Sequence, residues 1–215
     1  MEFDKVLKIL KTFSSESLLG KKAHEEISPY RDSLTPLSSP RIAAVLILLY
    51  PINEITHFAL IQRPTYNGKH SGQISLPGGK QEIEDISLID TATREAWEET
   101  NIESSMVNII GELTQIFIPP SNFKVTPFLA TALVRPNFKP DNREVAEILE
   151  VKLQDLIKPF SLKQKYLQRA EGETLNTSFF ELQSKTVWGA TAMILNELRH
   201  FIISQSEAKN KRKIE

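Results

Sequence analysis

Gly78-Gly79-Lys80-Gln81-Glu82-Ile83-Glu84-Asp85-Ile86-Ser87-Leu88-Ile89-Asp90-Thr91-Ala92-Thr93-Arg94-Glu95-Ala96-Trp97-Glu98-Glu99-Thr100-Asn101-Ile102 is the stretch on which the fold turns. Its second half predicts a helix over roughly 87–100. At about 100° per residue, Glu95, Glu98 and Glu99 share one face of that helix. Leu88, Ile89, Ala92 and Ala96 form its apolar stripe, and Glu99 falls inside the stripe. A carboxylate aimed at a core is costly unless it is paired or bound to a metal. Like charges one turn apart also repel. Arg94 is the one cation placed to offset this, and it precedes Glu98, the weaker orientation. A divalent cation resolves the conflict, and oxygen donors are what Mg²⁺ and Mn²⁺ prefer. The competing reading is a solvated acidic face, and the Gly78-Gly79 turn upstream weighs against it.

Together these residues resemble the Nudix hydrolase box: a glycine, a spaced acid, then Arg-Glu-small-x-Glu-Glu-x-Gly-apolar. Three positions depart from it. The stretch between Gly79 and Arg94 is one residue longer than the commonest spacing, Asp85 stands where a Glu is usual, and Asn101 replaces the closing glycine. Asn is the next-best residue for a left-handed helix cap, so the last change is mild. All three acids after Arg94 are intact.

The preceding residues, Ala59-Leu60-Ile61-Gln62-Arg63-Pro64-Thr65-Tyr66-Asn67-Gly68-Lys69-His70-Ser71-Gly72-Gln73-Ile74-Ser75-Leu76-Pro77, are similar to the motif of the coenzyme A pyrophosphatase branch of that family. Leu60, Arg63, Gly72, Pro77, Gly78 and Gly79 fall in register, and the longer box spacing recurs in that branch. Ala59, Ile61, Pro64 and Leu76 depart from it, and Gly68 stands where Arg is usual, with Lys69 adjacent. Coenzyme A carries a 3′-phosphate besides its diphosphate, so its pocket needs cations beyond a metal. Arg63, Lys69 and His70 cluster where a Gly-rich loop presents them, with Gly72, Gln73 and Gly78 as further substrate-binding candidates. Arg63 also reads as a strand-end surface charge, His70 as a loop hydrogen-bonder, and the glycines as simple turn residues.

Composition narrows the rest. The 215 residues suffice for one good-sized domain. Forty per cent hydrophobic and 25% charged residues are ordinary for a soluble globular chain. Twenty-six basic against 27 acidic residues give a net charge of −1, which does not suggest an electrostatic nucleic-acid binder. No cysteine is present, so disulfides, thiolate nucleophiles and Cys-type zinc sites are excluded. No apolar run reaches membrane-spanning length, and Met1-Glu2-Phe3-Asp4-Lys5 does not open a secretory signal. A cytoplasmic enzyme without membrane or nucleic-acid partners is the expectation.

Along the chain, Phe3, Val6, Leu7, Leu10 and Phe13 predict an amphipathic helix over 1–13. Residues 14–40 predict a second short helix and a loop. Ala43–Tyr50 is a continuous apolar run closed by Pro51, expected as a buried central strand. His57–Arg63 is its expected neighbour. Strands are expected at Val107–Leu113, Phe123–Leu133 and Ile148–Val151, the last leading into a short helix at 153–157. Trp188, Thr191, Ala192, Leu195, Leu198 and Ile202 follow helical spacing on one face, read as core packing. The tail after Ser206 is expected to fray. This divides the chain into an N-terminal helical extension (1–35), a main domain (36–206) and a polar basic tail (207–215). Interleaved strands and few helices predict a mixed α/β layout. The resemblance sharpens that to a Nudix-type α/β/α sandwich with a mixed sheet.

The expected chemistry is metal-assisted hydrolysis of a diphosphate. Glu95, Glu98 and Glu99 would hold Mg²⁺ or Mn²⁺, with the Gly79 carbonyl as a further ligand and Arg94 orienting the glutamates. Glu95 or Glu144 would take the proton from water. Glu144 is chosen because many Nudix enzymes use an acid from a comparable loop, with Glu147 in reserve; both also read as surface acids. By resemblance, the substrate is coenzyme A or an acyl-CoA. Another nucleoside diphosphate such as ADP-ribose or NADH is the alternative, and a non-catalytic nucleotide-sensing module is a more distant one. Ile118–Phe123 reads as a stiff loop, either lining a cleft or simply connecting strands. The resemblance leaves room for a homodimer.

Overall fold

The run Arg41–Ile52 forms strand β1, the axis of the molecule, and its period-2 geometry explains why almost every residue in it is apolar. Ala43, Ile47 and Leu49 enter one core, while Ala44, Leu46, Leu48 and Tyr50 enter another on the opposite face. The computed structural model describes residues 1–29, 39–65, 71–168 and 174–211.

Before β1 lie helices α1 (Phe3–Leu10) and α2 (Lys21–Glu25). After it come β2 (Ile55–Gln62), β3 (Ile74–Ser75), β4 (Gly78–Lys80) and helix α3 (Leu88–Thr100). Then follow β5 (Asn108–Glu112), β6 (Ile116–Ile118), β7 (Phe123–Thr131), β8 (Glu147–Lys152) and α4 (Leu153–Ile157). The chain ends with β9 (Leu162–Gln168), β10 (Thr174–Leu182), β11 (Lys185–Val187) and α5 (Gly189–Lys211).

β1 to β8 form one mixed sheet. β1 runs parallel to β7 from Arg41 opposite Phe123 to Leu49 opposite Thr131. Along its other edge β1 divides its pairing. Its far half meets β2, and Ala44 and Val45 meet Gly79 and Gly78 of β4. That division brings the Gly78-Gly79 turn to the middle of the sheet. Helix α3 covers one face through Ala92 and Ala96. The other face carries α1, α4, α5 and a second, three-stranded sheet of β9, β10 and β11. The result is the expected α/β/α sandwich around a mixed sheet. No helix among the described residues is long and apolar enough to cross a membrane.

Several expectations need correction. β1 does not stop at Pro51. The Thr56 N–H opposite it donates to the Met1 carbonyl, away from β1, so this pair makes no ladder bond and proline's missing donor costs nothing there. Ile89 is 38% exposed, and Thr91 and Thr100 take buried places on α3 instead. Trp188 lies just before α5 and is 46% exposed, whereas Ala192, Leu195, Leu198 and Ile202 are buried as read. α5 continues past Ser206, where fraying was expected, to Lys211. The strands of the second sheet had no reading at all. Their hairpin turn, Gln183-Ser184, has both residues at positive φ without a glycine, so the usual sequence signal is missing.

The first helix shares the main core: Phe3, Val6, Ile9 and Leu10 are buried with strand and α5 residues. The same cluster includes Ile27, and Ser178 donates its backbone N–H to the Ile27 carbonyl. Ile9→Ala should therefore cost about 2–4 kcal/mol, as for a residue inside the sheet layers. Urea unfolding checks this, and a loss below about 1 kcal/mol would show that α1 adds little to the core.

Candidate active site

Helix α3 is set in place at both ends. Ser87 and Asp90 form a reciprocal cap, with the Ser87 N–H donating to Asp90 Oδ2 at 2.8 Å and the Asp90 N–H to Ser87 Oγ at 3.2 Å. Asn101 closes the helix in the left-handed conformation, φ 61°, and its N–H reaches the Trp97 carbonyl. Between the caps, Glu99 points inward and is only 2% exposed.

What lies opposite Glu99 is the glycine turn. The Gly78 N–H donates to Glu99 Oε2 at 2.8 Å, and Arg63 Nη2 stands 3.9 Å from Oε1. Gly78 has φ 145°, and a Cβ there would collide with the Ala44 carbonyl and Val45. Gly79 lies so close to the Glu95 carboxylate that a side chain would displace it. Burial pushes Glu99 up to about 7, against the opposing pull of the Gly78 N–H and Arg63. Burial also raises Glu95, opposed by Arg94.

Arg94 has a different setting. Asp85 takes its Nε and Nη2, both at 2.9 Å, and the Lys80 carbonyl takes Nη2 at 3.1 Å. Its Nη1 then meets Glu95 and Glu98, each at 3.1 Å. This forked pairing raises Arg94 above its ordinary value and holds Asp85 well below the usual carboxylate range. The weaker Arg94–Glu98 orientation thus forms nonetheless, because Asp85 positions the guanidinium from outside the helix.

The remaining acid arrives on the turn before β8. The Asp141 N–H donates to the Glu99 carbonyl, the Glu144 and Val145 N–H groups to the Asp141 carbonyl, and the Ala146 N–H to the Gln62 carbonyl. That turn therefore docks on α3 and β2 together, and Glu144 faces the same cavity as Glu95 and Glu99. Its charge further raises both. Glu147 is instead engaged by Lys185 at 2.9 Å.

The cavity measures about 910 Å³. Arg63, Gln73, Gly78, Gly79, Glu95, Glu99 and Glu144 line it, so sites far apart in sequence converge. Arg94 and Glu98 do not line it, and the Glu98 side chain is about half exposed. Gly72 sits at its loop's base, where its N–H donates to the Pro64 carbonyl beside the Arg63–Gln73 bond. Lys69 and His70 lie outside the described residues. Sequence reasoning missed Arg41, Lys80 and the wall formed by Trp188 with the start of α5. Arg41 was detectable only through pairing, since β7 places Phe123 opposite it.

Donor chemistry fits a hard divalent ion. Glu95 and Glu99 open on the cavity, every candidate ligand is oxygen, and buried carboxylates with too little positive charge nearby call for a cation. Glu98 is held by Arg94, and no group of three His, Asp or Glu side chains among the described residues is arranged as a ready metal cluster.

Comparison with known proteins agrees with this geometry. Residues 40–171 match the NUDIX domain family. The chain is 34% identical over 176 residues to an uncharacterized Nudix hydrolase, NudL, of Pectobacterium atrosepticum, covering 77% of this chain and 85% of that one. NudL of Yersinia enterocolitica is 35% identical over 160 residues, covering 73% and 78%. Among solved structures, a MutT/nudix family protein from Enterococcus faecalis superposes with a TM-score of 0.54 at 16% identity, over 79% of this chain and 65% of that one, a likeness of fold. A carboxylate-bearing helix faces a glycine turn in an α/β/α sandwich, the arrangement that the family match covers. The chain belongs to the Nudix family and is a Nudix hydrolase. Such enzymes generally use divalent metals such as Mg²⁺ or Mn²⁺.

Glu99 gives a pH signature in metal-free protein. Its folded value is raised from 4.5 to about 7, so the folded state holds the proton more tightly. Its stabilising effect is complete below 4.5 and is lost as pH rises to about 7, by at most about 3 kcal/mol. Melting with EDTA should show that decline, and Glu99→Gln should flatten it. Millimolar Mn²⁺ should restore stability at pH 8 in the parent but much less in the variant; equal recovery would remove Glu99 from the metal site.

Proposed function

We propose that this Nudix hydrolase cleaves the diphosphate of coenzyme A or an acyl-CoA, giving 3′,5′-ADP and (acyl-)4′-phosphopantetheine. The observation that carries it is the facing of Glu95, Glu99 and Glu144 with Arg63 across Gly78 and Gly79 in one cavity. In support of the coenzyme A reading stand the upstream residues Leu60, Arg63, Gly72, Pro77, Gly78 and Gly79, in register with that branch, and a cavity within the size range of sites for such ligands.

In this reading Glu95, Glu98, Glu99 and the Gly79 carbonyl would hold Mg²⁺ or Mn²⁺, which supplies charge neutralisation at the diphosphate and a more acidic water. Arg63, with Lys69 and His70, receives phosphate oxygens, and Gln73 and the glycine backbone set the approach. The Gly78 N–H keeps Glu99 oriented. Arg94, anchored by Asp85, orients Glu95 and Glu98 rather than meeting substrate. Glu144 or Glu95 accepts the proton as water attacks phosphorus.

A mass-spectrometric panel with Mg²⁺ and Mn²⁺ tests this, containing coenzyme A, acetyl-CoA, dephospho-CoA, ADP-ribose, NADH and dATP. The expected outcome is 3′,5′-ADP from coenzyme A, much weaker turnover of dephospho-CoA, and none with Glu99→Gln, whose fold persists by circular dichroism. AMP from ADP-ribose or NADH with coenzyme A untouched would replace the substrate assignment and leave the hydrolase intact. An active Glu99→Gln enzyme would sink the metal role.

A further inference from the structure

The acids occupy only part of the cavity wall. Another part is built by the start of β1, the turn Ile118–Phe123 and the residues leading into α5, and it carries no acid among its lining residues. Here Arg41 lies over the Phe123 ring, its guanidinium carbon 4.0 Å from the ring centre. A 2.7 Å bond from Arg41 Nη2 to the Ser121 carbonyl fixes that pose. The cause is the parallel register of β1 and β7, which sets Arg41 directly opposite Phe123. One donor of the five on the guanidinium is thereby used, and the others have no protein partner among the described residues.

Trp188 lines the same cavity. By spacing it belongs to the apolar stripe of α5, whose members Ala192, Leu195, Leu198 and Ile202 are fully buried. Trp188 instead stays 46% exposed, because the positive φ of Gly189 (62°) turns the chain between β11 and the helix. A large flat side chain held half out of the core beside a cavity has surface left to cover. Ile118, Pro120 and Ile194 add apolar area around it. Flat rings together with an immobilised planar cation suit a ligand that is itself flat and π-bearing. A flexible aliphatic arm would need neither.

We propose that Trp188 and the stacked Arg41–Phe123 pair form the platform on which the nucleobase of the substrate stacks, making Trp188 a specificity-determining residue. This rests on reading the cavity as a nucleoside diphosphate hydrolase site. The acids and Arg63 then act on the diphosphate, while the platform reads the base and sets its register.

The chain has two tryptophans, Trp97 and Trp188. Because Trp97 is half exposed on the outer face of α3, full-length Trp97→Phe leaves Trp188 as the sole indole reporter. AMP, 3′,5′-ADP and 4′-phosphopantetheine are titrated into it with EDTA, so that no turnover is required. Saturable quenching by the two nucleotides, and none by phosphopantetheine, is expected. Quenching by phosphopantetheine alone would assign the wall to the pantetheine arm and overturn the proposal, as would the absence of quenching by any of the three. In the parent protein, Trp188→Leu should raise KM roughly tenfold for whichever nucleotide is turned over, with kcat held within about twofold. A fall in kcat at unchanged KM would overturn it. If no nucleotide is hydrolysed yet the nucleotides quench Trp188, the hydrolytic reading fails and the platform stands; hydrolysis without quenching is the reverse.

Discussion

A buried carboxylate facing a glycine amide is the interaction on which the rest of the site depends. Glu99 enters the layer between α3 and the sheet, where an unpaired carboxylate is costly. The Gly78 N–H meets it at 2.8 Å, and only a residue without Cβ can bring that N–H so close to β1. β1 therefore gives up part of its edge to β4 in place of β2, and α3 is drawn against that gap. The compensation is incomplete, as the upward shift of Glu99 shows. A fold that keeps such a residue keeps a place where positive charge is wanted.

Electrostatic work is divided among five acids near the helix. Asp85 is held by Arg94, the Glu82 N–H and the Thr91 hydroxyl, and serves as an anchor. Glu98 shares Arg94 at the surface, while Glu95 sits between Arg94 and the cavity. Glu99 and Glu144 face the cavity with Arg63 as the nearby cation. Ion pairing falls from Asp85 through Glu95 to Glu99, although the Asp85 and Glu99 side chains are about equally covered. The helix thus presents a gradient, from a rigid ion-paired end to a charge-deficient end that opens on the cavity.

The N-terminal residues take part in this arrangement at a distance. α1 and Ile27 close the core on the sheet face opposite α3. Glu197 of α5, fully buried, takes the Thr114 N–H and hydroxyl and faces His24 of α2 at 3.6 Å. Asn196 donates to the Ala23 carbonyl and to Glu26. These polar ties fix α5 against α2, and so fix the point at which Trp188 and Gly189 leave β11 for the cavity.

The box helix, its Asn101 cap, its three glutamates and the central strand were legible in the sequence because each depends on neighbours in the chain. Helical spacing puts Glu99 in the stripe of Ala92 and Ala96, and the unbroken run through β1 requires burial on both faces. The convergence of Glu144, Arg63 and Arg41 on one cavity was not legible with the same force. It depends on which strands pair, and a β-register is set by contacts between residues 80 or more apart. Spacing likewise gave Trp188 and Ile89 to the core, but a glycine turn and the limited width of the α3 contact left both exposed. Local periodicity determines which side of an element is apolar. Only tertiary packing decides how much of that side is covered, because coverage is a property of two surfaces and the sequence of one element describes a single one of them.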